Sequence, residues 1–266
     1  MHRVVTLTTD FGTTEYVAAM KGVVLSINPQ VTIVDISHDV RPQNILQGAY
    51  VLRATVSYFD NAIHVGVVDP GVGTERAGLI IRCEKGVLVG PDNGLLLPAA
   101  RKLGLASVFR ITNAKYLLDT ISDTFHGRDI FAPAAAHLSR GVSPEEMGGS
   151  VDKYVDLKLE HYVEKDGRLE GRILHVDRFG NLISSIEKKV ISEHLDFGSH
   201  VTIEMKGESE VKAKKIRFLS TYGAADVGEL IATVSSSGFF EIACNRGSAG
   251  QMLNADLGDI IEVKIQ

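Results

Sequence analysis

The chain has 266 residues, 44% hydrophobic and 23% charged, enough for one large domain or two smaller ones around a buried core. Its 28 basic and 33 acidic side chains give a formal net charge of -5 with no basic stripe, so nucleic acid is not an expected partner. No charged-then-apolar segment opens the chain, and no apolar run reaches the roughly 18 residues of a membrane helix. A cytoplasmic protein that does not contact a membrane is therefore expected.

In chain order, Arg3–Thr8 predicts a buried strand, with Asp10–Thr14 as its exit loop. Glu15–Leu25 has helical apolar spacing and meets a stop at Asn28-Pro29. Thr32–Ile36 predicts a second strand, followed by Ser37–Val40 and a helix from about Gln43 to Tyr58. Ile63–Val68, Leu79–Arg82 and Val87–Val89 predict three more strands, and Pro91–Gly94 a turn into a helix ending near Leu103. The Ala-rich stretch after Asp129 predicts a packed helix. Strands alternating with helices predict an α/β domain over residues 1–152 with a mainly parallel sheet covered on both faces.

The pattern then changes. The polar span 153–167 is the expected linker. From residue 168 to 266 short β runs follow one another: Leu169–Val176, Val201–Met205, Ile216–Phe218, Ile231–Val234, Phe239–Ala243 and Ile260–Ile265. Gly, Asn and Asp turns separate them, and helical spacing is limited to about Glu187–His194. A smaller all-β, barrel-like C-terminal domain is expected. Cys83 and Cys244 lack CxxC spacing and are expected to be buried as small apolar residues.

Several loops offer chemistry. Asp10, just after the first strand, suits two ribose hydroxyls, because a carboxylate accepts two hydrogen bonds at once; a helix-capping role is the alternative. Asp69 and Arg76 share one Pro-Gly loop at a strand end, where ligands sit in α/β folds; a structural ion pair is the alternative. Gly71-Val72-Gly73 is too short a match for a dinucleotide fingerprint. His126 opens the Ala-rich helix beside Arg128 and Asp129 and can carry or orient a proton, whereas Asp129 suits an N-cap or an arginine partner. Asp177 and Asn181 share one turn, the acid suited to an ammonium and the carboxamide to an adenine edge. Ser235, Ser236 and Ser237 precede a strand. The nine histidines show no HxxxH or HExxH spacing, so no metal site is expected.

Six motifs occur in order: Thr9-Asp10-Phe11-Gly12, Asp35-Ile36-Ser37-His38, Asp69-Pro70-Gly71-Val72-Gly73-Thr74, Gly90-Pro91-Asp92-Asn93-Gly94-Leu95-Leu96, Phe125-His126-Gly127-Arg128-Asp129-Ile130-Phe131-Ala132-Pro133 and Asp177-Arg178-Phe179-Gly180-Asn181. Together they resemble the S-adenosyl-L-methionine hydroxide adenosyltransferases, relatives of the fluorinase and chlorinase enzymes, over nearly the whole chain. The resemblance implies hydrolysis of S-adenosyl-L-methionine to adenosine and methionine, with no cofactor. It also implies a homotrimer whose sites lie at subunit interfaces, between the N-terminal domain of one subunit and the barrel of the next. It assigns Asp69, Arg76 and His126 as the catalytic triad and Asp10 as the ribose acid. Asp177 and Ser236 would hold the amino-acid end, and Asn181 would read adenine. The chain departs from the halogenating relatives, which carry Tyr in place of Asp69 and Thr in place of Val72. They also carry Arg in place of Ser237 and Ser in place of Val17.

A sulfonium substrate sheds a neutral thioether, so the attacking water needs help and the leaving group does not. The expected reaction is in-line attack by water at ribose C5′. Three rivals stay open at this point: a nucleoside-binding sensor without turnover, a halogenase, and a metal-dependent phosphoesterase.

Overall fold

The computed structural model describes residues 4–206 and 212–265; Arg3, at the head of the expected first strand, lies outside them. The chain divides into two compact units, Met1–Lys158 and Leu159–Gln266.

In the first unit β1 (Val4–Thr9), α1 (Glu15–Ile27), β2 (Thr32–Ser37), α2 (Ile45–Thr55), β3 (Ala62–Val67), β4 (Gly78–Cys83), β5 (Gly86–Pro91), α3 (Leu97–Lys102) and β6 (Leu105–Arg110) follow in order. A long loop leads to a π-helical turn, Gly127–Phe131, which runs into α4 (Ala132–Ser139), and α5 (Pro144–Met147) comes last. The six strands form one sheet in the order β2-β1-β3-β5-β4-β6. Its β2, β1, β3 and β5 run parallel, whereas β4 is antiparallel to both β5 and β6.

The expectation of a mainly parallel sheet is therefore corrected: the sheet is mixed. The reason is chain length. Two residues separate β4 from β5, and a parallel partner needs a crossover of a dozen or more. Helices cover both faces. Val5, Leu7, Ile63, Val65 and Val67 pack with Met20 and Val24 of α1 and the alanines of α4 in one core. On the other face α2 and α3 pack against each other and onto the strands.

The strand order creates a switch point. From β1 the chain passes through α1 to β2 on one side, then returns through α2 to β3 on the other side of β1. The loops leaving the carboxyl ends of β1 and β3 diverge and open a crevice there. Asp10 follows β1 and Asp69 follows β3 by one intervening residue, so the register Thr9↔Val67 brings both acids to the same crevice.

The second unit contains β7 (Tyr162–Lys165), β8 (Arg168–Val176), β9 (Leu182–Glu187), α6 (Lys188–Ile191), β10 (His200–Lys206), β11 (Lys212–Phe218), β12 (Leu230–Val234), β13 (Phe239–Cys244), α7 (Ala249–Leu253) and β14 (Ile260–Lys264). Seven strands, β8 to β14, close into a barrel because β14 pairs with both β10 and β8. Inward apolar side chains such as Leu169, Ile203, Phe218, Phe240 and Val263 fill it. Part of the span expected as linker forms β7, an exposed edge strand laid on β8. Its charged composition hides it, although charges on an exposed edge are what guards such a strand. Strand β9 was likewise not expected, because its two buried serines, Ser184 and Ser185, break the apolar pattern.

Candidate active site

The crevice at the β1/β3 switch point is a cleft of about 390 Å³, lined by Asp10, Asp69, Val72 and His126 together with an aromatic wall. The loop after β3 turns sharply at Pro70-Gly71, where Val72 N and Thr74 N donate to the carbonyls of Asp69 and Gly71 at 3.2 Å each. Gly73 has φ +77°, and a Cβ there would collide with the carbonyl of Asp123. Glycine thus lets this loop lie directly on the loop that carries His126.

The two loops meet through side chains. Arg76 Nε donates to Asp69 Oδ1 at 2.9 Å and Oδ2 at 3.1 Å, and Arg76 Nη2 donates to Asp69 Oδ2 as well. Arg76 Nη2 also lies 2.8 Å from His126 Nδ1. The guanidinium sits over the Phe131 ring, 5.2 Å from its centroid, and Nη1 donates to the carbonyl of Ala77. The ion pair is nearly dry, with side-chain exposures of 11% for Arg76 and 5% for Asp69. A fork held by three bonds and an aromatic face has one orientation.

That orientation sets the state of His126. A guanidinium only donates, so His126 Nδ1 accepts and the ring proton resides on Nε2. Burial, followed by the Arg76 charge, pushes the His126 imidazole below its ordinary pKa, against opposing pulls from Asp69, Asp129 and Asp123. His126 is therefore a neutral imidazole near neutral pH, presenting an N–H donor.

Asp10 stands across the cleft. One of its oxygens, Oδ2, accepts from the backbone N–H of Gln43 at 2.7 Å. The loop around Asp10 is braced from β2: Thr9 Oγ1 is 2.8 Å from His38 Nδ1, and Gly12 N donates to the carbonyl of His38 at 2.8 Å. Phe11, Tyr16 and Phe125 form the aromatic wall through edge and tilted contacts, with ring centroids 5.0 to 5.8 Å apart.

In the second unit, Asp177 Oδ1 accepts from Phe179 N at 2.8 Å and Asn181 N at 2.9 Å, while Oδ2 accepts from Asn181 Nδ2 at 2.8 Å. The acid closes its own turn and aims the buried Asn181 amide. Asn181 lines a separate cavity of about 540 Å³ with Phe179, Tyr222, Cys244 and Arg246. Ser236 is exposed on the β12–β13 turn, beside Ser235 and Ser237, whose hydroxyls are 2.8 Å apart.

The structure thus brings Asp10, Asp69, Arg76 and His126 together in the first unit and joins Asp177 to Asn181 in the second. Sequence reasoning missed Gln43, Tyr16, Tyr222 and Arg246 as lining residues. Gln43 carries no readable signal, because its left-handed backbone (φ 65°) is unusual for glutamine. Phe179 did carry one, an aromatic side chain on a turn, and it is 77% exposed.

A mixed α/β sheet with ligand loops at its switch point, followed by a closed β-barrel, defines the class of two-domain protein to which this chain belongs. The family profile described as SAM hydroxide adenosyltransferase N-terminal domain matches residues 5–148, and the corresponding C-terminal domain profile matches residues 171–262. The chain belongs to the SAM hydroxide adenosyltransferase family. A relative from Methanocaldococcus jannaschii, named (R)-S-adenosyl-L-methionine hydrolase, is 37% identical, covering 98% of this chain and 95% of its own. A more distant relative from Nocardia brasiliensis, named fluorinase, is 24% identical over 98% of this chain and 97% of its own. The crystal structure of an uncharacterized conserved protein from Thermotoga maritima superposes with a TM-score of 0.89 at 36% identity, covering 98% of this chain and 99% of that one.

Proposed function

We propose that this protein hydrolyses S-adenosyl-L-methionine, in the (R) form for which its relatives are named, to adenosine and L-methionine by attack of water at ribose C5′. The observation that carries this reading is the hydrogen-bonded row Asp69–Arg76–His126 on the wall of a cleft that also holds Asp10.

The chemistry divides among the three groups. Arg76 cannot give up its proton, and His126 already carries one on Nε2. His126 Nε2–H would therefore hold the oxygen of the attacking water and leave a lone pair free for C5′. As the C5′–O bond forms, the C5′–S bond breaks and its electron pair goes to sulfur, giving the neutral thioether of methionine. The oxygen becomes acidic as it bonds to carbon, and its proton passes to Asp69 or to solvent. Both Asp69 oxygens accept from Arg76 and keep lone pairs toward the cleft, so Asp69 is placed to receive that proton. Its charge also favours the sulfonium electrostatically, and an anion there disfavours a halide nucleophile.

Asp10 Oδ1 would accept the ribose hydroxyls, since Oδ2 already binds Gln43 N. Asn181 would read the adenine edge, Asp177 would meet the ammonium and Ser236 the amino-acid end. The reaction so written calls for no cofactor or metal, since the sulfonium leaves without an acid and His126 and Asp69 attend the water. The family resemblance supports a homotrimer in the cytoplasm, with each cleft completed by the barrel of the next copy. Among the described residues no helix is long and apolar enough to cross a membrane.

Reaction in oxygen-18 water tests the proposal. Label is expected in the adenosine 5′-hydroxyl, with equimolar methionine. Thermal stabilisation by the substrate without methionine release would point instead to a sensor, and halide-dependent 5′-halo-5′-deoxyadenosine to a halogenase.

A further inference from the structure

The proposed reaction leaves the buried carboxylate of Asp129 unused. Asp129 is fully buried, in the π-helical turn that follows His126. A helix-start acid ordinarily caps the backbone N–H groups ahead of it. This one reaches back instead: Asp129 Oδ2 accepts from Ser122 N at 2.8 Å, and Oδ1 accepts from Arg128 Nε at 2.6 Å. Arg128 in turn lies over the Phe125 ring, 5.1 Å from its centroid.

The bonds on either side continue the staple. Ser122 Oγ accepts from Phe125 N at 3.0 Å, and the Phe125 carbonyl accepts from Asp129 N at 3.1 Å. The Asp129 carbonyl accepts from Leu118 N at 3.1 Å. His126 thus lies inside the stapled segment, directly after Phe125 and three residues before Asp129, and the loop so held carries the Asp123 carbonyl on which Gly73 rests. Shifting that loop would move His126 and the Arg76 loop relative to each other. A π-helical turn is itself a departure from regular helix that tends to occur at functional sites.

We infer that Asp129 is a positioning residue for hydrolysis: by stapling residues 118–125 to the π-turn it fixes His126 Nδ1 on Arg76, and so the aim of Nε2–H. This inference rests on the proposed hydrolase reading. It accounts for a buried carboxylate that neither caps the helix nor lines the cleft.

Asp129→Asn keeps the shape and removes the charge that draws in Arg128 and Ser122 N. It is expected to lower kcat about tenfold to a hundredfold, as an ångström-scale misplacement does. KM should rise by less than kcat falls, because the stapled loop also carries Phe125 of the cleft wall while the aim of Nε2–H matters most in the transition state. Nitrogen-15 NMR of the imidazoles should show His126 as a single Nε2–H tautomer in the natural protein and as a mixture in the variant. If Asp129→Asn does not fold, Ser122→Ala removes one staple bond and should lower kcat in the same direction by less. Unchanged kcat in folded Asp129→Asn, or a kcat loss with the His126 tautomer unaltered, overturns the inference. So does unchanged kcat in Ser122→Ala when Asp129→Asn cannot be folded. A natural protein that releases no adenosine overturns the hydrolase reading alone, and the tautomer comparison still decides the role of Asp129.

Discussion

Two acids in this protein head tight turns at strand ends and do opposite things with their charge. Asp69 gives both oxygens to Arg76, which then reaches a second loop and the ring of His126. Asp177 gives both oxygens to its own turn, two backbone N–H groups and the Asn181 amide. The first exports orientation across the cleft. The second closes its own turn and aims one carboxamide, with the lone pairs it has left facing the amino-acid end of the substrate in the proposed reaction. A carboxylate in a turn therefore says little by itself; what it holds decides whether it serves the chemical step or the binding of substrate.

The sharpest way to break the comparison is at Arg76. Arg76→Lys keeps the charge but loses the planar fork that bonds Asp69 and His126 together. A fall in kcat of about 10²- to 10³-fold is expected in steady-state assays of adenosine release. Asp69→Asn should lower kcat by about a hundredfold and destabilise the fold by about 1–3 kcal/mol, read by denaturant titration, because Arg76 is left nearly buried with weakened acceptors.

The Asp177 turn should respond differently. Asp177→Ala is expected to raise KM about tenfold and to lower stability by about 1–3 kcal/mol, since three donors lose their acceptor. At saturating substrate kcat should hold. A kcat loss as large as that of Asp69→Asn would erase the distinction between the two turns.

The pH profile sharpens the comparison further. Protonating His126 puts a hydrogen on Nδ1, where Arg76 already donates, so activity should fall on the acid side. Because the folded imidazole sits below its ordinary value, the midpoint should lie below about 6.5, with a slope of about one. Stability has the same sign. The unfolded chain takes up this proton near pH 6.5 while the folded one resists it, so the His126 contribution is complete above about pH 6.5 and declines as pH falls toward the folded value. The smallest effect is expected at Phe179→Ala: KM up about threefold to tenfold from loss of the aromatic face of the Asn181 cavity, where the adenine is proposed to sit, with unfolding unchanged within about 0.5 kcal/mol.

Much of this was readable before folding. The strands expected over Arg3–Thr8 and Ile63–Val68, each within a residue of its observed end, the loop Asp69–Arg76 and the helix behind His126 all follow from apolar runs broken by Pro, Gly and charge. The antiparallel β4–β5 pair could also have been read, because the short connection forbids a crossover. Strand β9 could not, since Ser184 and Ser185 are buried by hydrogen bonds to distant backbone, the carbonyls of Phe240 and His161. Nor could the Asp129 staple. From the sequence Asp129 suited a cap or an arginine partner; the structure makes it the partner of Arg128 and turns its other oxygen back to Ser122.

The sequence by itself determined the residue chemistry and the order of the motifs, because side-chain type and local periodicity are properties of neighbours along the chain. The tertiary structure decided three things that depend on residues dozens of positions apart. It brought Asp10 and Asp69 to one crevice through the pairing of β1 with β3. It seated Gly73 on Asp123, so that Arg76 reaches His126. It placed the imidazole proton on Nε2, because hydrogen-bond direction is fixed only when donor and acceptor meet in space.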